Sequence, residues 1–137
     1  MVLTSHLTQI RDVAYVRKHI AEGWQVEVFD ATSSYSLLSL HGPKSRGLLQ
    51  ELSGDDLSNE AFQFGQMREI DLAYARVWAI RRSFFDELGY ELLIPAEFTA
   101  SVYEHLIERG ELFGVKHVGM FALLHSRMEK GFRLIMQ

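Results

Sequence analysis

The order of elements in this chain predicts an α+β fold, an antiparallel ferredoxin-like sheet with helices packed on one face. Three observations carry the expectation. Short alternating apolar runs bounded by turn residues read as strands, two stretches with helical spacing end at glycines, and the sequence order strand, helix, strand, strand, helix leaves one layer of helices to cover one sheet.

Along the chain, Ile10, Val13, Ala14, the stem of Arg17 and Ile20 follow helical spacing between Thr8 and Ile20, with Gly23 placed to stop the helix. Gln25–Asp30 and Tyr35–Leu40 read as strands, separated by the polar Thr32-Ser33-Ser34 break. Gly42-Pro43 suits a turn followed by the first turn of a helix, whose apolar face is Leu48, Leu49 and Leu52 before the loop Ser53-Gly54-Asp55-Asp56. Met67–Leu72 and Ala75–Arg82 flank Ala73-Tyr74 as a hairpin, and Tyr90–Ile94 adds a strand that Pro95 ends. Phe98, Val102, Leu106 and Ile107 then mark one face of a helix ended by Gly110, and Met120, Leu123, Leu124 and Met128 mark the inner face of a last one. By the same spacing Met128 belongs in the core, and Trp24 and Trp78 are packing aromatics.

Length and composition bound the rest. With 137 residues, 47% of them hydrophobic, the chain is the size of one domain, taken as residues 1–137. A net charge of −4 with scattered Lys and Arg lacks the basic stripe that neutralises phosphates, so no nucleic-acid partner is expected. No apolar run is long enough to span a bilayer and no leader is evident, so no membrane partner is expected and the cytoplasm is the expected location. With no cysteine, disulfides, thiolate catalysis and cysteine-based metal sites are excluded. Six histidines lack the i,i+4 or i,i+2 pairing that presents two imidazoles on one face, so no metal site is expected. No Gly-x-Ser-x-Gly frames a serine, which disfavours a hydrolase, and no Gly-x-Gly-x-x-Gly follows a strand, so no FAD site of that kind is expected in this chain.

The candidate site lies between Arg81 and Pro95. There Asp86, Glu87 and Glu91 surround Gly89 just before an apolar strand, which would put Glu91 on a half-buried sheet face where a carboxylate needs donors. Water, Arg81, Arg82 or a ligand rich in N–H groups would each serve. Arg127, Glu129, Lys130 and Arg133 read either as a solvated helix face or as groups that close a pocket.

The run Asp86-Glu87-Leu88-Gly89-Tyr90-Glu91 resembles the Gly-Glu-x-Gly-aromatic-Glu motif of the aminomethyltransferase (glycine-cleavage T-protein) superfamily. Asp30–Arg46, with its Gly42-Pro43 step, is similar to the same family, as are Asp55–Phe62 and Arg68–Leu72. Gly119–Leu123 and Arg127-Met128-Glu129-Lys130-Gly131-Phe132-Arg133 resemble the branch fused to dimethylglycine and sarcosine dehydrogenases, and not the paralogue with a Lys-Gly-Cys-Tyr run. These blocks span nearly the whole chain in order.

The resemblance implies the same α+β fold and tetrahydrofolate as cofactor. Glu91 would be the pterin-binding carboxylate, because a reduced pterin offers a 2-amino group and a ring N–H side by side and one carboxylate accepts both. Phe84 falls where T-proteins carry a ring-contacting tyrosine, and Glu87 would help shape an acidic wall. Asp86 in place of a motif glycine adds a side chain and a charge, with strain as well if the position needs a positive φ, and Leu123 stands in place of an arginine near the folate tail. The family's catalytic aspartate lies upstream of the matched blocks, so no catalytic residue is assigned. The chain reads as part of a larger amine-demethylating enzyme without turnover of its own, whose partners are a folate-type small molecule, the remaining enzyme domains or a second copy. The alternative is a non-catalytic structural or oligomerisation module that keeps the fold without folate.

Overall fold

Four strands form one antiparallel sheet in the computed structural model, which describes residues 1–132: β1 (Tyr35–His41), β2 (Met67–Leu72), β3 (Ala75–Arg81) and β4 (Gly89–Pro95), in the order β1-β4-β3-β2. Strands β2, β3 and β4 follow one another as a meander, and β1 closes the other side of β4 with Tyr35 opposite Pro95 and His41 opposite Gly89. Helices α2 (Ser45–Leu52) and α3 (Thr99–Gly110) cover one face, so the α+β sheet with helices on one face is the architecture observed.

Period-two alternation decides what enters the core. Tyr90, Leu92 and Ile94 of β4, Val77 and Ala79 of β3, and Ile70 and Leu72 of β2 are buried together with Leu48 and Leu49 of α2 and Val102 and Leu106 of α3. Each fully buried Leu, Ile or Val stabilises the fold by about 1.5–3 kcal/mol relative to leaving it in water. The hairpin between β2 and β3 turns on Ala73 and Tyr74 at φ 47° and 67°, two left-handed residues as a two-residue I′ connection requires. The Ala73 amide donates to the Leu52 carbonyl at 3.0 Å, tying the turn to the end of α2.

Between α2 and β2 the chain runs without a helix or strand, yet Leu57 and Phe62 there are fully buried. Arginines satisfy this stretch. Arg46 and Arg81 both donate to Asn59 Oδ1, at 2.6 and 2.7 Å, Arg81 also donates to the Phe62 carbonyl at 2.5 Å, and Arg68 donates to the Asp56 and Ala61 carbonyls at 3.0 and 2.9 Å. Such side-chain donors replace the backbone ladder that a buried loop lacks.

Several expectations change. Pro43 precedes α2 rather than opening it, because Gly42, at φ +116°, first makes a turn in which the Ser45 amide donates to the Gly42 carbonyl at 3.0 Å. The last helix, α4 (Met120–Glu129), forms where its spacing indicates, but Met120 and Met128 are 65% and 63% exposed and its buried residue is Arg127. Met128 is therefore not core: helical spacing identifies a stripe, and only tertiary contact decides whether that stripe is covered. Arg133 and the tail Leu134–Gln137 lie outside the described residues.

The chain divides into two compact units, Met1–Ser33 and Ser34–Gln137. In the first, the expected helix forms as α1 (Gln9–Lys18), and Gly23 takes the left-handed conformation at φ +84°. None of its residues is buried, and Trp24, expected to pack, is 64% exposed. Gln25–Asp30 is not a strand, since no second strand in that unit pairs with it. Side chains hold the segment instead: Arg17 donates to the Val28 carbonyl at 3.0 Å, and Asp30 accepts from Gln9 Nε2 at 2.7 Å and from the Thr32 amide at 3.0 Å.

Candidate functional site

The connection from β3 to β4 carries the candidate residues. Alternation along β4 sends Tyr90, Leu92 and Ile94 into the core and leaves Glu91 on the opposite face, with Ser39 of β1 and Ile80 of β3 as its cross-strand neighbours. Ile80 and the next residue of that face on β4, Leu93, are 8% and 6% exposed, so Glu91 sits among apolar groups. Its side chain is 13% exposed, and Arg82 Nη1 lies 3.5 Å from its Oε2. Arg81, the other cation open to it in the sequence, stands opposite Tyr90 and serves Asn59 and Phe62. The Arg82 guanidinium is half exposed, so the pair contributes on the order of 0–1 kcal/mol, modest compensation for a carboxylate largely removed from water.

Phe84 is held from α4 and Glu87 from the residue that follows it. The Arg127 guanidinium stacks 3.9 Å from the centre of the Phe84 ring and its Nη1 donates to the Phe84 carbonyl at 2.6 Å, while Lys130 Nζ lies 3.5 Å from Glu87 Oε1. A buried guanidinium clasping both ring and backbone orders a loop that has no regular structure of its own. Of the two readings of this charged face, Arg127 at 8% exposure is not solvated. Glu87 and Glu91 use different cations, Lys130 and Arg82.

Asp86 has φ +65°, the left-handed conformation that favours glycine. Asp is among the few residues that enter this region at modest cost, so the strain expected of a side chain at this position is small. Gly89 is constrained by proximity. A Cβ there would lie 2.6 Å from His41 Cε1 and 2.9 Å from the Arg82 carbonyl oxygen. The His41 ring lies across Gly89 and against Phe85, ring centres 5.0 Å apart, its Nδ1 is buried without a hydrogen-bond partner, and burial holds its pKa below the ordinary histidine value. No spacing in the sequence marks His41, because only the register of β1 on β4 brings it to Gly89.

The whole chain, residues 1–137, matches the GCVT N-terminal domain. The chain belongs to the GCVT family. It is 40% identical over 97% of its length to the 4-methylaminobutanoate oxidase (formaldehyde-forming) of Paenarthrobacter nicotinovorans, covering 16% of that protein, and 33% identical over 97% of its length to the mitochondrial dimethylglycine dehydrogenase of Mus musculus, covering 15%. It thus spans about one sixth of these relatives. Among solved structures, the heterotetrameric sarcosine oxidase of Corynebacterium sp. U-96, in complex with pyrrole 2-carboxylate, matches 71% of this GCVT chain and 49% of its own chain at 26% identity with a TM-score of 0.61. No helix among the described residues is long and apolar enough to cross a membrane.

Proposed function

We propose that this GCVT chain is the tetrahydrofolate-binding part of a one-carbon transferase domain, of the type fused to dimethylglycine and sarcosine dehydrogenases. The observation that carries the reading is Glu91: a carboxylate 13% exposed, on the sheet face away from the core, among Ile80 and Leu93, with a half-exposed Arg82 at 3.5 Å. The donor set fits the cofactor. A reduced pterin brings two adjacent N–H donors for the two oxygens of one carboxylate, and its flat ring would lie on apolar neighbours that water solvates poorly.

When bound, the folate supplies the amine that accepts a one-carbon unit. The chain's own residues bind and orient: Glu91 fixes the pterin edge, Arg82 holds one oxygen of the Glu91 carboxylate in place, and the Arg127 clasp fixes the position of Phe84. The relatives are by name a formaldehyde-forming oxidase and a dehydrogenase of methylated amines, which supports assigning one-carbon transfer to the longer protein.

Calorimetric titration with a reduced folate tests the reading, alongside Glu91→Gln, which keeps shape but replaces an acceptor by a donor. Saturable binding that weakens about 10- to 100-fold in the variant is expected from losing a charge-assisted pair. No binding by either protein would favour a structural module instead.

A further inference from the structure

Within the unit that begins at Ser34, a cavity of about 620 Å³ opens between the end of β1, the start of α2, the end of α3 and the segment from Phe113 to Val118. Its size is that of a small-molecule site, and Leu40, Leu48, Leu106, Phe113 and Val115 give it apolar walls. Glu91, Phe84 and Glu87 are not among its lining residues.

Its charge is one-sided. Lys44 and Lys116 line it, with His41 and His117, whereas no Asp or Glu does, in a chain where 18 acidic residues outnumber 14 Lys and Arg. Both lysines are exposed at the rim, and neither has an ion-pair partner among the described residues. Of its other polar groups, the Ser45 hydroxyl donates to the Leu88 carbonyl at 3.3 Å, the exposed Tyr103 and His117 side chains share a hydrogen bond of 2.8 Å, and His41 Nδ1 is buried without a partner. A concave apolar wall rimmed by uncompensated cations favours an anion carried on an apolar body over a neutral ligand or a bare inorganic ion, because the body gains from burial and the charge from the rim.

We propose that this cavity binds a small organic carboxylate with an apolar ring or chain, its body against Leu48, Leu106 and Phe113 and its carboxylate toward Lys44 and Lys116. Its lining shares His41, Phe85 and Leu123 with the surroundings of the Glu91 site but not Glu91 itself, and its test separates the two.

The chain, labelled with ¹⁵N, is titrated with 2-naphthoate and with the neutral 2-naphthamide while amide shifts are followed by NMR. Saturable shifts confined to the cavity-lining stretches 38–48, 103–107 and 113–118, with Phe85 and Leu123, are expected, with the carboxylate bound about tenfold tighter than the amide, the scale of one charge-assisted contact at a wet rim. Lys44→Gln/Lys116→Gln abolishes that preference without weakening the amide, either single variant reduces it in part, and Glu91→Gln leaves it intact. Equal affinity for the two probes, shifts spread over the surface, or a preference that survives loss of both lysines overturns the proposal.

Discussion

Replacing Gly89 by Ala tests whether the start of β4 is built around the absence of a side chain. The added methyl would meet His41 Nδ1 well inside contact distance, His41 Cε1 at 2.6 Å and the Arg82 carbonyl oxygen at 2.9 Å. The imidazole can swing away, at the loss of its contact with Phe85, about 0.5–1.5 kcal/mol. The carbonyl cannot move without shifting the backbone leading into the loop, an overpacking cost of about 1–3 kcal/mol. Together Gly89→Ala costs about 1.5–4.5 kcal/mol. Urea unfolding followed by far-ultraviolet circular dichroism measures it, and His41→Ala with the double variant completes a cycle. The double variant should recover only the imidazole's share, leaving about 1–3 kcal/mol due to the carbonyl. A Gly89→Ala protein as stable as wild type would refute the reasoning, and full recovery by His41→Ala would show that the backbone contact costs nothing.

Two further predictions concern the elements around the site. Arg127→Met removes the guanidinium from the Phe84 ring and carbonyl, and a loss of about 2 kcal/mol should speed amide exchange of residues 83–88 by roughly 30-fold, while unchanged exchange would mean that the loop is ordered without it. Burial depresses the His41 pKa, so below 6.5 the unfolded chain takes up a proton that the folded chain resists; the stabilising contribution is complete above pH 6.5 and declines as the pH falls through that value. The stability difference between wild type and His41→Gln should therefore shrink from pH 7.5 to pH 5.5, and a difference that is constant across that range would remove His41 as its source.

Local chemistry was readable and distant contact was not. The β2–β3 hairpin follows from two alternating runs and a two-residue gap, although Ala73 and Tyr74 are unusual left-handed residues, because the register leaves no other way to join Leu72 to Ala75. Even the choice between Arg81 and Arg82 as the partner of Glu91 is implicit in the alternation. Arg81 lies opposite Tyr90 on the core side, so the next residue falls toward Glu91. The failures involve pairs far apart in sequence. Gln25–Asp30 has strand chemistry without a pairing strand, Met128 has core spacing on a face left open, and Arg127 reaches Phe84 43 residues away, where no periodicity points. The cavity is the extreme case, since Lys44 and Lys116 are unremarkable singly and acquire meaning only when β1, α2 and α3 bring them to one rim without an acid between them. The same logic explains why Glu91 stands out in the sequence and His41 does not: an acid in an apolar strand is costly wherever the strand goes, whereas a histidine at a strand end becomes informative only once Gly89 is seen to lie beneath it.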